Sequence, residues 1–252
     1  MGTMSDNPTA AVLVIGDEIL SGRTQDTNSN AIARFLAPFG IEVCEIRAVG
    51  DREGEIVAAL NALRARYSYV FTTGGIGPTH DDITADAIAK AFGVGIDFHA
   101  EALALLRARL KSGDLNEARK RMARIPLGAS LIRNQVSAAP GFQMENVFVL
   151  AGVPSIMQAM LEDVAPRLTR GRVIHTATIA ARIGEGTIAA PLAQVQKQHP
   201  DVSIGSYPFY QADGFGVQLV ARGTNLESVE KAAQAIESIV RDAGAEPSRR
   251  LP

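Results

Sequence analysis

The stretch Gly74-Gly75-Ile76-Gly77-Pro78-Thr79-His80-Asp81-Asp82-Ile83-Thr84 concentrates residue types that could do chemistry. Gly74, Gly75 and Gly77 carry no Cβ, so backbone N–H groups there can approach an anion closely. A helix start after the loop adds the positive end of its dipole. Pro78, Thr79 and Thr84 belong to the same candidate phosphate-binding stretch. Asp81 and Asp82 stand in it too, and they would repel a bare phosphate. The combination makes sense if a divalent cation or a ligand hydroxyl lies between acid and anion. A turn closed by a helix-capping Asp explains part of the string without any ligand.

Three further groups carry similar chemistry. Gly16-Asp17-Glu18, then Gly22, then Asp26-Thr27-Asn28 offer hard oxygen ligands, although Asp26, Thr27 or Asn28 could equally be helix caps. Gly50-Asp51 reads both as a site acid and as the cap of the next helix. Gly152-Val153-Pro154-Ser155 suits phosphate binding at a helix start and suits plain capping almost as well. Asp51, Asp81 and Asp82 are thus the candidate catalytic acids. Asp17, Glu18, Asp26 and Asp82 are the candidate ligands for Mg, Mn or Co. Of the four histidines only His80 lies in a candidate site. No HxH, HExxH or CxxC pair is present, which argues against structural zinc. The chain has neither a Walker loop nor a GxSxG elbow.

These loops need a scaffold that brings them together. Ala10 to Ile15 is a continuous apolar run and predicts a buried strand of a parallel sheet. Ile32, Phe35, Leu36 and Phe39 recur at helical spacing and stop at Gly40. Ile41 to Val49 predicts a second strand, and Ile56, Ala59, Leu60 and Leu63 the inner stripe of a second helix. Tyr69 to Thr73 predicts a third strand, and Thr84 is expected to cap a helix running to Phe92. Ala102 to Met122 is helical in pattern with a break near Gly113. The stretch from Pro126 to Gly141 is expected to be loop. Asn146 to Leu150 predicts another strand, followed by a helix with Met157, Met160, Leu161, Val164 and Leu168 inward.

Strand–helix alternation predicts an α/β, three-layer, mostly parallel sheet over residues 10–168, with the post-strand loops along one edge. Near Gly171 the pattern resets. Strands at Val173 to Ile183, Val202 to Tyr207 and Val217 to Ala221, with helices at Thr187 to Gln198 and Asn225 to Arg241, predict a small α+β domain of βαββα order over residues 172–242. The tail after Gly244 is expected to fray.

Composition narrows the classes. Apolar residues make up 46% of the chain, enough for a real core. A net charge of -2 without a long basic run argues against nucleic acid as partner. Arg119, Lys120, Arg121 and Arg124 form the densest basic stretch, readable as a solvated helix face or as phosphate attraction beside a pocket. The single cysteine, Cys44, is expected in the core, and it excludes an internal disulfide. With no apolar leader and no membrane-length apolar run, the cytoplasm is the expected compartment. Met4 is a second candidate start.

In order, GDEIL, GRTQDTN, VGD and TTGGIGPTHDDIT resemble the molybdopterin-binding domain of the MoaB and Mog group. With NEARKRMARIPLGA (Asn116 to Ala129), APGF (Ala139 to Phe142) and LAGVPSIMQAM (Leu150 to Met160), the chain is similar to the N-terminal domain of CinA-type proteins. It also resembles the equivalent domain of fused FAD synthases, including Gly205-Ser206-Tyr207-Pro208. The resemblance spans about residues 10–240. It implies a site at the strand ends, with Asp51 and Asp82 matching the group's site acids. It implies molybdopterin or another small pterin or nucleotide as ligand, and a homo-oligomer. In the CinA and FAD synthase relatives the domain is associated with metal-dependent cleavage of nucleoside diphosphate compounds such as ADP-ribose or FAD. Non-catalytic molybdopterin binding and molybdopterin adenylyl transfer are the alternatives. Ending near residue 252, the chain is expected to lack both the CinA amidase domain and the synthase half of FAD synthase.

Overall fold

The computed structural model describes residues 7–109, 114–211 and 214–250. The chain divides into two compact units, Asn7–Gly171 and the residues from Arg172 onward. No helix among the described residues is long and apolar enough to cross a membrane.

In the first unit the elements are β1 (Thr9–Ile15), α1 (Asp17–Leu20), α2 (Asn28–Leu36), β2 (Glu42–Val49), α3 (Glu53–Arg66), β3 (Tyr69–Thr73), α4 (Thr84–Phe92), β4 (Ile96–Phe98), α5 (Ala100–Arg109), α6 (Glu117–Lys120), β5 (Arg124–Pro126), β6 (Ser130–Ile132), β7 (Gly141–Met144), β8 (Val147–Leu150) and α7 (Pro154–Val164). The main sheet runs β2-β1-β3-β8-β7-β6. Its first four strands are mutually parallel, and β7 and β6 add an antiparallel edge.

From Ala10 onward β1 is apolar because both its faces are buried. Ala11, Leu13 and Ile15 pack with Ile56, Leu60 and Leu63 of α3 and Ala87 and Ile88 of α4. Ala10, Val12 and Val14 pack on the other face with Ile32 and Leu36 of α2 and Met157, Met160 and Val164 of α7. The strand's period of two thus divides one run between two helix layers. Register aligns the strand ends: Ile15 pairs with Val49, Val14 with Thr73, and Thr73 with Leu150. The loops after β1, β2, β3 and β8 therefore leave from one edge.

Several expectations are corrected here. Residues 126–141 are not all loop, since β6 and the start of β7 fall within them. Runs of three or four residues are too short to display a period. Cys44 is exposed rather than core. It lies on the edge strand β2, whose even-numbered residues are uncovered, Ile46 being 56% exposed. Asp51 does not cap α3, because Arg52 holds the N-cap position without a side-chain bond. Thr84 is the first residue of α4 rather than its cap, Ile83. The expected break near Gly113 lies outside the described residues, as does Met4.

The second unit comprises β9 (His175–Ala181), α8 (Glu185–Gln198), β10 (Ser203–Gln211), β11 (Gly214–Gly223), α9 (Leu226–Asp242) and β12 (Ser248–Arg250). The sheet order is β10-β11-β9-β12, all antiparallel. Ile179, Val217 and Leu219 meet Ile188 and Val195 of α8 and Val229 and Ile236 of α9 in its core. Asn225 caps α9 through the Ser228 N–H at 3.0 Å. The tail expected to fray instead pairs with β9 as β12.

Candidate functional site

The loops at the shared edge interlock through their backbones. Gly16 N donates to Val49 O at 3.1 Å, and Gly74 N to Leu150 O at 3.3 Å. Gly74 has φ +102°, and a Cβ there would lie 2.1 Å from the Ile15 carbonyl oxygen. Only glycine fits both the dihedral and the space. A Cβ on Gly152 would lie 3.2 Å from the Gly74 Cα, so the β8 loop closes on the same spot. Thr84 locks the glycine loop from below, its Oγ1 donating to Gly74 O at 3.0 Å and its N–H to Gly75 O at 3.0 Å. Asn28 ties α2 to this edge by donating from Nδ2 to Gly152 O at 2.7 Å.

Acids gather where the loops after β1, β2 and β3 meet. Asp51 Oδ2 accepts the Asp17 N–H at 2.9 Å, a bond between two loops. Burial is the largest influence on the Asp51 carboxyl and pushes its pKa up; the Asp17 N–H opposes, and the charges of Glu18, Asp17 and Asp81 push it further up. Asp81 is held below its usual value by polar groups of its own loop, the nearby Thr79 hydroxyl first, although that hydroxyl points its hydrogen at Asp82. It therefore keeps the charge that Asp51 feels.

Asp82 behaves differently. Its Oδ2 accepts from Thr79 N at 2.8 Å and from Thr79 Oγ1 at 2.5 Å. A Cβ on Gly77 would meet that same oxygen at 2.6 Å, so Gly77 makes room for the turned-in carboxylate. Asp26 Oδ1 accepts the N–H groups of Asn28 at 2.9 Å and Ser29 at 3.2 Å, which is helix capping. Asn28 Oδ1 and Ser29 Oγ are buried without a partner among the described residues. Gly22 is a left-handed turn glycine with open space around it. Pro154 opens α7 and Ser155 makes no cap bond there. The His80 side chain is 98% exposed beside Asp81.

A cleft next to the glycine loop is lined by Gly75, Gly77, Asp82, Asp86, Arg121 and Arg124, which puts two members of the basic stretch beside a pocket, one of its two readings. Arg124 binds Asp86 in a two-pronged pair, at 2.9 and 2.7 Å. The basic stretch was the only signal that pointed there.

A family model described as a probable molybdopterin binding domain matches residues 11–170. The chain belongs to that family. A second model, the middle domain of FAD synthase, matches residues 173–247. A protein of Archaeoglobus fulgidus is 33% identical over 231 residues, covering 92% of this chain and 97% of its own. A protein of Thermococcus kodakarensis is 37% identical over 246 residues, covering 91% and 96%. A CinA-like protein of Chloroherpeton thalassium is 31% identical over 247 residues, 91% of this chain but 58% of the longer relative. A crystal structure of the protein CinA of unknown function from Thermoplasma acidophilum is 35% identical. It superposes with a TM-score of 0.61, over 65% of this chain and 99% of that one.

For a molybdopterin-binding-type site the natural ligand is a small pterin or nucleotide, and the loop edge has the donors and acids to meet one. The expected metal ligands do not form one cage. Among the described residues no group of three or more His, Cys, Asp or Glu side chains is arranged to hold a metal ion. Asp26 is turned to α2, and one oxygen of Asp82 is bound within its own loop. Asp17 and Glu18 instead stand with Asp51 and Asp81.

Proposed function

We propose that this chain binds a nucleoside diphosphate compound of the ADP-ribose or FAD type and hydrolyses its diphosphate with the help of a divalent cation. Residues 10–168 carry the site, and residues 172–242 form the accompanying domain. One observation carries the reading: Asp51 is held across two loops, partly buried beside other acids, at the same edge as the glycine loop. A carboxylate with a raised pKa in a cleft is a candidate general base. Asp51 would take the proton of the attacking water, while the Asp17 N–H fixes its orientation. Amides of Gly75 to Gly77 would hold phosphate oxygens. Asp17, Glu18 and Asp81 would face the cation, which when bound supplies neutralisation of the diphosphate charge. Attack of that water on one phosphorus would break the bridging P–O bond and give two monophosphates, AMP and ribose 5-phosphate from ADP-ribose or AMP and FMN from FAD.

The test is incubation of the full chain with ADP-ribose, FAD and NAD, with and without Mg²⁺, Mn²⁺ or Co²⁺, scored by AMP release. Metal-dependent AMP is the expected result. Among the described residues no metal cage is preassembled, which favours a second reading, binding without cleavage. Saturable binding of these compounds without AMP would select it. A homo-oligomer, dimer or trimer, is part of the proposal, and sedimentation showing only monomer at micromolar concentration would remove that part.

A further inference from the structure

Arg121 stands apart from the basic residues around it. Arg119 donates to the Asp114 carbonyl at 2.6 Å, Lys120 pairs with Glu117 at 2.6 Å, and Arg124 is taken by Asp86. Arg121 Nε is buried, and among the described residues it has no acceptor. The residue as a whole is only partly buried and always charged, so this one inward nitrogen is a donor left without an acceptor. A buried donor of this kind calls for a water, an ion or a ligand group as its acceptor. Arg121 lines the cleft together with Gly75, Ile76 and Gly77 of the glycine loop and with Asp82 and Asp86. Neither acid of the cleft pairs with Arg121: Asp86 is taken by Arg124, and Asp82 accepts from Thr79 while keeping its charge. The 3-10 turn Arg121–Ala123 fixes the backbone beneath it, with Ala123 fully buried.

We propose that Arg121 is the anion receptor of this cleft and holds a phosphoryl group of the ligand against the glycine loop. The guanidinium fork matches two phosphate oxygens at once. The proposal rests on the reading above in one respect, that the ligand carries phosphate. It adds a residue and a second point of attachment beside the glycine loop.

Calorimetric titration of the full chain with inorganic pyrophosphate, with and without Mg²⁺, tests it in wild type, Arg121→Gln and Arg121→Lys. Arg121→Gln should weaken pyrophosphate at least about tenfold and make the remaining binding less sensitive to NaCl, since a charged contact is lost. Arg121→Lys should restore part of the affinity, as a point charge does without the fork. The ligand-free Arg121→Gln protein should melt at the wild-type temperature or higher, because an unsatisfied buried donor has gone. Wild-type affinity in Arg121→Gln overturns the proposal, as does a wild type that does not bind pyrophosphate. Lost binding with a lowered ligand-free melting temperature assigns Arg121 to packing and also overturns it. AMP release by wild type with unchanged pyrophosphate affinity in Arg121→Gln removes this inference alone. Lost pyrophosphate binding without AMP from any substrate removes the hydrolase reading alone.

Discussion

Asp51 and Asp82 occupy loops of opposite character, although both loops leave the same edge of the sheet. The Asp51 carboxylate reaches out of its own loop to the Asp17 N–H, and three other acids lie near enough to push its pKa up. The Asp82 carboxylate folds back on Thr79 and closes its own loop, as a capping acid would. Local bonds shape a loop and use up the acceptor that makes them. Bonds between loops, in repulsive company, leave a carboxylate whose charge is best relieved by something that arrives later. Of two acids that look equal in sequence, Asp51 is therefore the better candidate for chemistry and Asp82 the better candidate for holding the loop in shape.

The largest effect expected from this contrast is that of Asp51→Asn. If Asp51 is the general base, AMP release should fall by about 10²–10⁴-fold, the usual contribution of such a group. The fold should survive, since asparagine can still accept the Asp17 N–H. Stability adds a second readout. The folded-state pKa of Asp51 is raised, so its contribution to stability is fully present below the ordinary carboxylate range and lost as pH rises through the raised value. At neutral pH the variant should therefore melt above wild type, and the gap should close as pH falls into the carboxylate range. A variant that melts below wild type at pH 7 would remove the view of Asp51 as a strained acid.

Gly74→Ala tests the interlock on which both loops depend. The added methyl would sit 2.1 Å from a backbone oxygen, at a φ of +102°. A loss of about 2–4 kcal/mol is expected from strain and forced backbone shift together. For a unit of this size that is roughly 4–16 °C in Tm. Gly22→Ala is the control, with a φ of +72° but nothing within 4 Å of the added methyl. It should cost only about 1 kcal/mol, the backbone part alone. Equal losses in the two variants would show that the loops are not pressed together at Gly74.

Asp82→Asn should do less to turnover than Asp51→Asn. Acting through the loop it closes, it should weaken metal dependence about 10–100-fold, as supporting residues of metal sites do. Added Mg²⁺ should recover part of the rate. If AMP release falls as far as in Asp51→Asn and extra metal restores nothing, the ranking of the two acids is wrong.

Much of this was legible in the sequence. The alternation of Ala10 to Ile15 with helical stripes such as Ile56, Ala59, Leu60 and Leu63 specifies a sheet between helices, because burial on both faces demands those periods. The site loops follow from topology once the strands are parallel. What stayed hidden depends on contacts between distant segments. No local pattern tells that Asp51 will bond Asp17 rather than cap α3, or that Arg121 will lack the partner that Lys120 and Arg124 find. Cys44 misled because an edge strand can carry the same apolar residues as a central one. The short strands β5, β6 and β7 escaped because pairing, not period, defines them.

The smallest expected effect belongs to Asp26, which the sequence offers both as a metal ligand and as a cap. One of its oxygens accepts two N–H groups at the start of α2, at 2.9 and 3.2 Å. Asparagine caps helices about as well as aspartate, whereas alanine costs about 0.5–2 kcal/mol. Asp26→Asn should therefore leave both melting temperature and AMP release near wild type, and Asp26→Ala should lower Tm by roughly 1–8 °C. A cation ligand gives the opposite pattern, because asparagine keeps the cap but removes the charge that a hard cation prefers. If Asp26→Asn melts normally yet needs far more Mg²⁺ for turnover, Asp26 faces the ligand after all. The bond to α2 would then be the means by which that helix aims it.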